Sequence, residues 1–407
     1  MKVVHLSLED SFGAGRAALR INRAVGNAGT DSVVYVLDKN DMADSYAINL
    51  SRSDRLKIML YDRLNHMLLN KYGEHGYFHV DRFGINLMKY PEIAEADILH
   101  FHWVNEGIWS EKFIKSLIKT QKPVVWTMHD MWTFTGGCHY DEFCGNYKEK
   151  CAKCKVLGNG KKCKDALRAQ IRKKEYLEKL NIQLVGCSQW ITEQANGSTI
   201  GKSMKRKAVC VPNPTNDQHF KIYDKKLCRK LLGIESDKKL VLFGAVNAAS
   251  DQRKGAHYII EAIRKLDPEK YILGVFGSKT VNLGLDAFEV INFGRINDDF
   301  HLAFIYNAAD VFVAPSMQEN LANTVMEALT CGTAVTAFAV GGMPDMIIHG
   351  QNGYLASAFD INDLAQGIET AVELSENSQK IRNTILERFS EEKIGRLYSM
   401  LYEKIYL

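Results

Sequence analysis

Long apolar runs are missing from this chain. No stretch of about 18 such residues occurs, so no membrane-spanning helix is expected. The opening residues, MKVVHLSLEDSFG, read as a strand and an acidic loop and lack the apolar core of a signal peptide. The expectation is a cytoplasmic chain, with peripheral contact on the inner face of the plasma membrane left open. Short repeats and low-complexity tracts are absent, which excludes solenoid and fibrous classes. Strong charge of one sign is absent too: the net charge is +4, too weak to argue for a nucleic-acid partner. The nine cysteines are an odd number in a chain without a secretory signal, so free thiols or metal ligands are the better reading than disulfides.

What remains is ordinary for a globular protein: 46% hydrophobic and 25% charged residues. The 407 residues exceed one core and fit two domains of roughly 200 each. Strand-like runs alternate with helical ones. The strands are expected at Val3–Leu8, Val33–Leu37, Ile98–His102, Val124–His129, Ile182–Cys187 and Ala208–Val211. In the second half they are expected at Leu240–Val246, Tyr271–Phe276, Val290–Phe293, Val311–Ala314 and Ala334–Phe338. This alternation predicts an α/β protein of two parallel, doubly wound, Rossmann-like sheets. VPNPTNDQHF, residues 211–220, has no periodicity and two prolines, and reads as the linker.

The most informative stretch is PSMQENLANTVMEALTCGTAV, residues 315–335. Glu319 falls in a loop after the strand DVFVAPS, and Glu327 falls within the following helix. Asn320 and Asn323 are helix-capping residue types, and Gly332 stands where a C-terminal cap belongs. A strand, a polar loop and a helix N-terminus offer outward N–H groups to an anion. Carboxylates beside them suit sugar and ribose hydroxyls. Together they suggest a nucleotide-diphosphate sugar.

This segment resembles the Glu-x7-Glu motif of family 4 of the retaining, GT-B-fold glycosyltransferases (glycosyl transferases group 1). TAVTAFAVGGMPDMIIHGQNGYLA continues the resemblance, with Gly341, Gly342, Pro344, Gly350 and Gly353 in the family's places. The resemblance implies that Glu319 lies by the donor sugar and Glu327 holds the ribose. Asp345 stands where the family usually has Glu, and Asn320-Leu321 where it usually has Gly-Phe. It also implies an active cleft between two domains, 1–213 and 214–390, with the helix 391–407 crossing back to the first. Gly244, Asn320, Leu321, Ala322 and Asn323 complete the expected donor set of the second domain.

Arg253-Lys254-Gly255 precedes a helix. Negative charge grows on a departing diphosphate, and fixed cations stabilise it most in the transition state. The resemblance matches Lys254 to the family's lysine. The usual earlier arginine is replaced by Ala248, leaving Arg253 as its candidate substitute. A solvated basic pair is the alternative. No Asp-x-Asp triplet adjoins this site, so no metal or other cofactor is expected for catalysis.

In SFGAGRAA, Gly13, Gly15 and Arg16 follow the first strand. Three readings stay open. The loop meets the donor diphosphate or the acceptor. It forms a dinucleotide fingerprint with Asp38 on the ribose. Or it only allows close strand–helix packing. His129 and Asp130 end the strand of KPVVWTMHD. The resemblance puts His129 near the donor sugar, with Asp130 fixing its tautomer or capping the next turn. His102, Trp103 and Asn105 are acceptor-side candidates, with core packing as the equal alternative.

Cys138, Cys144, Cys151, Cys154 and Cys163 have the spacing C-x5-C-x6-C-x2-C-x8-C within an insertion at 138–163. Cys151-x2-Cys154 is a half-site for structural zinc that Cys138 and Cys144 would complete, with His139 or Cys163 as substitutes. The lysines around them are expected to favour thiolates. Seven lysines between Lys148 and Lys164, followed by Arg168, Arg172, Lys173 and Lys174, suit anionic lipid headgroups or a solvated helix face. Residues 54–70 place Leu56, Met59, Leu60, Leu64, Met67 and Leu68 on one stripe, expected to face the core or the acceptor, with interfacial membrane contact as the alternative.

The activity expected is retaining transfer of a sugar from a UDP- or GDP-sugar to a hydroxyl of a glycan or lipid-linked acceptor. GGCHY and its cysteines look like bacterial enzymes of cell-surface polysaccharide synthesis. A nucleotide-sugar epimerase and a non-catalytic nucleotide-sugar sensor are the rivals.

Overall fold

The computed structural model describes residues 1–40, 44–72, 78–80, 82–158, 163–244, 251–277, 283–296 and 298–407. Ala248 and the end of the strand expected at 240–246 lie outside the described residues. The chain divides into two compact units. One is Met1–Pro214 with Glu391–Leu407, and the other is Thr215–Ser390.

The first unit holds β1 (Lys2–Glu9), β2 (Asp31–Asp38), β3 (Tyr46–Ala47), β4 (Ile98–Phe101), β5 (Val124–Met128), β6 (Ile182–Gly186) and β7 (Val209–Cys210). They pair in parallel in the order β3-β2-β1-β4-β5-β6-β7. β4 and β5 are buried along their whole length, which is why ILHF and VVWTM read as continuous runs rather than alternating ones. The C-terminal helix, Glu391–Tyr406, packs on the first helix, Gly13–Asn27. Gly395 permits that contact, since a Cβ there would lie 2.1 Å from the Ala24 carbonyl oxygen. Arg23 pairs with Glu391, and Tyr398 and Tyr402 are buried against the sheet.

The second unit holds β8 (Lys239–Gly244), β9 (Tyr271–Phe276), β10 (Val290–Gly294), β11 (Val311–Ala314), β12 (Ala334–Phe338) and β13 (Gly353–Ala356). Its parallel order is β10-β9-β8-β11-β12-β13. In both sheets the order reverses beside the first strand, β1 or β8, and ligands of doubly wound sheets bind outside the strand ends at such a point. The loop after β11 opens at the carboxyl edge of its sheet, beside such a point.

The helix Arg52–Met67 departs from expectation. Its buried residues are polar, Asp54 and Asn65, while Leu56 is 67% and Met59 70% exposed. Asp54 is held by Lys89, Tyr90 and Lys57. Asn65 accepts from the amides of Arg82 and Phe83 and donates to the Phe83 carbonyl. The helix is anchored through these polar side chains and through Ile58 and Tyr61, which pack against the core, while Leu56, Met59, Leu60 and Met67 face outward.

Candidate functional site

Two loops at the carboxyl edge of the second sheet are tied together by their backbones. The Met317 amide donates to the Arg253 carbonyl at 2.8 Å. Gly255 has φ +72°, and a Cβ there would meet the Pro315 carbonyl oxygen at 2.0 Å, so only glycine lets the loops close. The loop after β12 presses from the other side. The Gly342 amide donates to the Glu319 carbonyl at 3.1 Å, and a Cβ on Gly341 would lie 1.8 Å from the same oxygen.

This frame fixes the Glu319 carboxylate. Lys254 Nζ donates to its Oε2 at 2.5 Å, Arg253 lies 3.4 Å from that oxygen, and the Asn320 amide donates to Oε1 at 3.2 Å. Burial opposes ionisation, but Lys254 and Arg253 outweigh it and hold the carboxyl at about 2. Arg253 also bonds Asp251 at 2.8 Å and the Gln318 carbonyl at 2.9 Å. Its fork is therefore committed to organising the loops, whereas Lys254 places a point charge on Glu319. Asp251 and Gln318 carried no recognisable sequence signal.

Glu327 lies in the helix Asn323–Thr330, deeply buried, and accepts from the Tyr306 hydroxyl at 3.3 Å. Ala322 is the N-cap and supplies no side-chain hydrogen bond, so neither Asn320 nor Asn323 occupies the capping position. Gly332 ends the helix with φ +77°, as its position implied. Leu321 is buried, and Gly244 ends β8 against the Phe276 ring. These residues stand on one edge of the second unit.

In the first unit, Gly13, Gly15 and Arg16 form the first turn of the helix Gly13–Asn27. A Cβ on Gly15 would lie 2.3 Å from the Glu9 carbonyl oxygen, so this glycine serves close strand–helix packing. Arg16 Nε donates to the Ser11 carbonyl at 3.2 Å. Asp38 ends β2.

His129 follows β5 and is half-buried. Burial lowers it to about 4, with Asp130 opposing, so it is neutral at physiological pH. Its Nε2 lies 3.0 Å from Nδ1 of His102, which is buried behind it rather than displayed at the surface. Trp103 Nε1 donates to Asp130 at 3.2 Å, and Asn105 is buried. Asp130 accepts from the Trp132 amide at 2.8 Å and pairs with His139 at 2.6 Å, not with His129.

All nine cysteines are free thiols. Cys138, Cys151, Cys154 and Cys163 are buried and Cys144 half-buried. Burial pushes Cys151 up to about 12 and Cys154 to about 11, and raises Cys138 and Cys144. The neighbouring lysines therefore do not make thiolates here: desolvation outweighs them. Among the described residues, three ligand atoms come within 4.8 Å of one another only at His5, His100 and His102, so the four thiols as placed do not fit a tetrahedral metal.

Residues 224–388 match the family model described as glycosyl transferases group 1. An uncharacterized glycosyltransferase of Methanocaldococcus jannaschii is 28% identical over 195 residues, 42% of this chain and 49% of that protein. The D-inositol 3-phosphate glycosyltransferase of Mycobacterium ulcerans is 29% identical over 161 residues, 37% of this chain and 34% of that protein. The chain thus spans half or less of the length of these curated relatives. Among solved structures, sucrose-phosphate synthase from Thermosynechococcus elongatus superposes with a TM-score of 0.66 at 18% identity, covering 100% of this chain and 99% of that one. Anabaena Alr3699/HepE in complex with UDP-glucose superposes at 0.64 and 15% identity, covering 99% and 100%. Residues 224–388 are therefore similar to glycosyl transferases group 1, within a chain of two Rossmann-like units that has the GT-B fold.

Proposed function

We propose that this protein is a retaining glycosyltransferase that moves a sugar from a nucleoside diphosphate to an acceptor hydroxyl. The observation that carries the reading is the Glu319–Lys254 pair at the mouth of the second sheet, held ionised by the loops around it. A carboxylate that stays charged at neutral pH accepts hydrogen bonds from sugar hydroxyls and offsets positive charge at the anomeric carbon. It is not a general acid. A bound diphosphate would share Lys254 with Glu319, bringing the cation onto the leaving group. Glu327 is the candidate ribose acceptor, and Asn320, Leu321, Ala322 and Asn323 supply the loop that passes the donor.

In the step itself, the anomeric C–O bond breaks with its electron pair going to the diphosphate. The acceptor oxygen bonds the same face and gives its proton to the leaving phosphate oxygen. Retention, the absence of any metal requirement and a role in cell-surface polysaccharide synthesis rest on the sequence resemblance. UDP-sugars come first among donors because Anabaena HepE, a protein of this fold, was crystallised with UDP-glucose. The test is incubation with a panel of UDP- and GDP-sugars, with and without glycan and lipid-linked acceptors. Nucleotide release that requires an acceptor supports transfer. An altered donor sugar would instead indicate epimerisation, and binding without turnover a sensor.

Peripheral membrane contact has its own support. The helix Arg52–Met67 exposes Leu56, Met59, Leu60 and Met67, and Arg52, Arg55, Lys57 and Arg63 are exposed along it. An apolar stripe flanked by cations fits an anionic bilayer surface. No helix among the described residues is long and apolar enough to cross a membrane. A structural zinc on Cys138, Cys144, Cys151 and Cys154 would require the thiols to move together, and metal analysis of the purified protein tests it.

A further inference from the structure

Three histidines form a file across the carboxyl half of the first sheet. His5 stands on β1 opposite His100 on β4, and β4 pairs with β5. His5 Nδ1 lies 3.0 Å from His102 Nε2, and His102 Nδ1 lies 3.0 Å from His129 Nε2. The rings are nearly parallel, at 13° for the first pair and 24° for the second, with centroids 5.3 Å apart in both. His100 stands beside the file but is spoken for: its nitrogens bond the Tyr402 hydroxyl at 2.7 Å and the Thr127 hydroxyl at 2.8 Å.

A neutral imidazole has one donor and one acceptor nitrogen. Burial keeps His5, His102 and His129 neutral. The two N···N bonds therefore tie the tautomers together, and only two arrangements exist. In one, every ring is protonated at Nδ1 and donates to the next, toward His129. In the other, every ring is protonated at Nε2 and donates toward His5. The far end decides between them. His5 Nε2 is fully buried and has no hydrogen-bond partner. The second arrangement buries an N–H without an acceptor, whereas the first leaves only an unused lone pair, and buried orphan N–H groups are the rarer defect.

We propose that His5 and His102 are positioning residues that fix His129 as the Nδ1–H tautomer, so that it presents a hydrogen-bond donor rather than a base at the end of β5. The functional part rests on the transferase reading and on the sequence resemblance, which puts His129 near the donor sugar. A donor there selects a hydroxyl, ring or phosphate oxygen and takes no proton from the acceptor. The orientation is specified from two strands away, by residues that touch no substrate.

The test begins with the whole protein labelled with 15N-histidine and no substrate. Long-range 1H–15N correlation reads which nitrogen of each ring is protonated, with His102 and His129 assigned by signal loss in His102→Asn and His129→Gln. The expected result is Nδ1–H on both rings throughout neutral pH. Protonation at Nε2 of His129, or a ring that titrates in that range, overturns the proposal. Turnover supplies the second readout. His102→Leu should lower kcat roughly tenfold or more, as loss of an orienting partner does. His102→Asn should recover part of the loss, because its amide can donate from the place of Nδ1. Equal loss in both variants would mean that His102 only fills space. If no nucleotide sugar is turned over, the transferase reading fails, while the spectrum still decides the tautomer.

Discussion

Glu319 is the residue at which charge, burial and backbone meet. Its carboxyl is lowered from the ordinary 4.5 to about 2, so the folded state binds its proton more weakly than the unfolded chain. The stability it contributes is fully present above about 4.5 and is lost as pH falls toward 2. Glu319→Gln should therefore cost about 2 kcal/mol in urea melts at neutral pH, where it leaves two cations short of a partner. The difference from the unaltered protein should shrink steadily below pH 4.5. The same variant frees Lys254, so UDP alone should bind at least as tightly while turnover collapses. Loss of UDP binding in step with turnover would contradict the roles given to the pair. Gly341 offers a backbone counterpart. Gly341 has φ +57° and no room for a Cβ, while Gly350 has φ +75° and open space around it. Gly350→Ala should cost about 1–2 kcal/mol from the left-handed backbone alone. Gly341→Ala should cost roughly 2 kcal/mol more, and displace Glu319 enough to abolish turnover.

At the scale of elements, the helix Arg52–Met67 makes the sharpest prediction. If its outward stripe rests on a bilayer, Leu56→Glu with Met59→Glu should abolish sedimentation with vesicles rich in anionic lipid and leave the melting temperature nearly unchanged. These side chains are 67% and 70% exposed and support no core. A fall in melting temperature with unchanged sedimentation would mean that the stripe covers protein instead. Periodicity alone revealed the stripe but not its direction. The direction depends on Asp54 finding Lys89 and Tyr90, and Asn65 finding Arg82 and Phe83, and those pairings are tertiary. Strands were legible where apolar runs were long enough to show. Two were not: Tyr46–Ala47 is a two-residue edge strand, and Gly353–Ala356 begins on glycine and is too short to show a period.

On the scale of the whole molecule, the two doubly wound sheets and the break after Pro214 could be read from alternation and a proline-rich segment. The loop after β11 and the helix that follows it could be read because β11, Glu319, Glu327 and Gly332 are neighbours in sequence. The histidine file could not, since His5 and His102 are 97 residues apart and meet only once β1 lies beside β4. For the same reason the Glu319–Lys254 pair, 65 residues apart, was expected as two separate contacts to a ligand rather than as one ion pair. The thiolate expectation for the cysteine cluster failed because neighbouring lysines are visible in sequence, whereas the burial that raises Cys138, Cys144, Cys151 and Cys154 is not. The central claim is that an ionised Glu319, paired with Lys254, serves glycosyl transfer. The most direct measurement is proton NMR of the protein with a UDP-sugar and a mixture of glycan acceptors. The account predicts a new glycoside with the donor's anomeric configuration, formed in step with UDP and absent with Glu319→Gln. An inverted product, a changed donor sugar without an acceptor adduct, or undiminished transfer by the variant would contradict it.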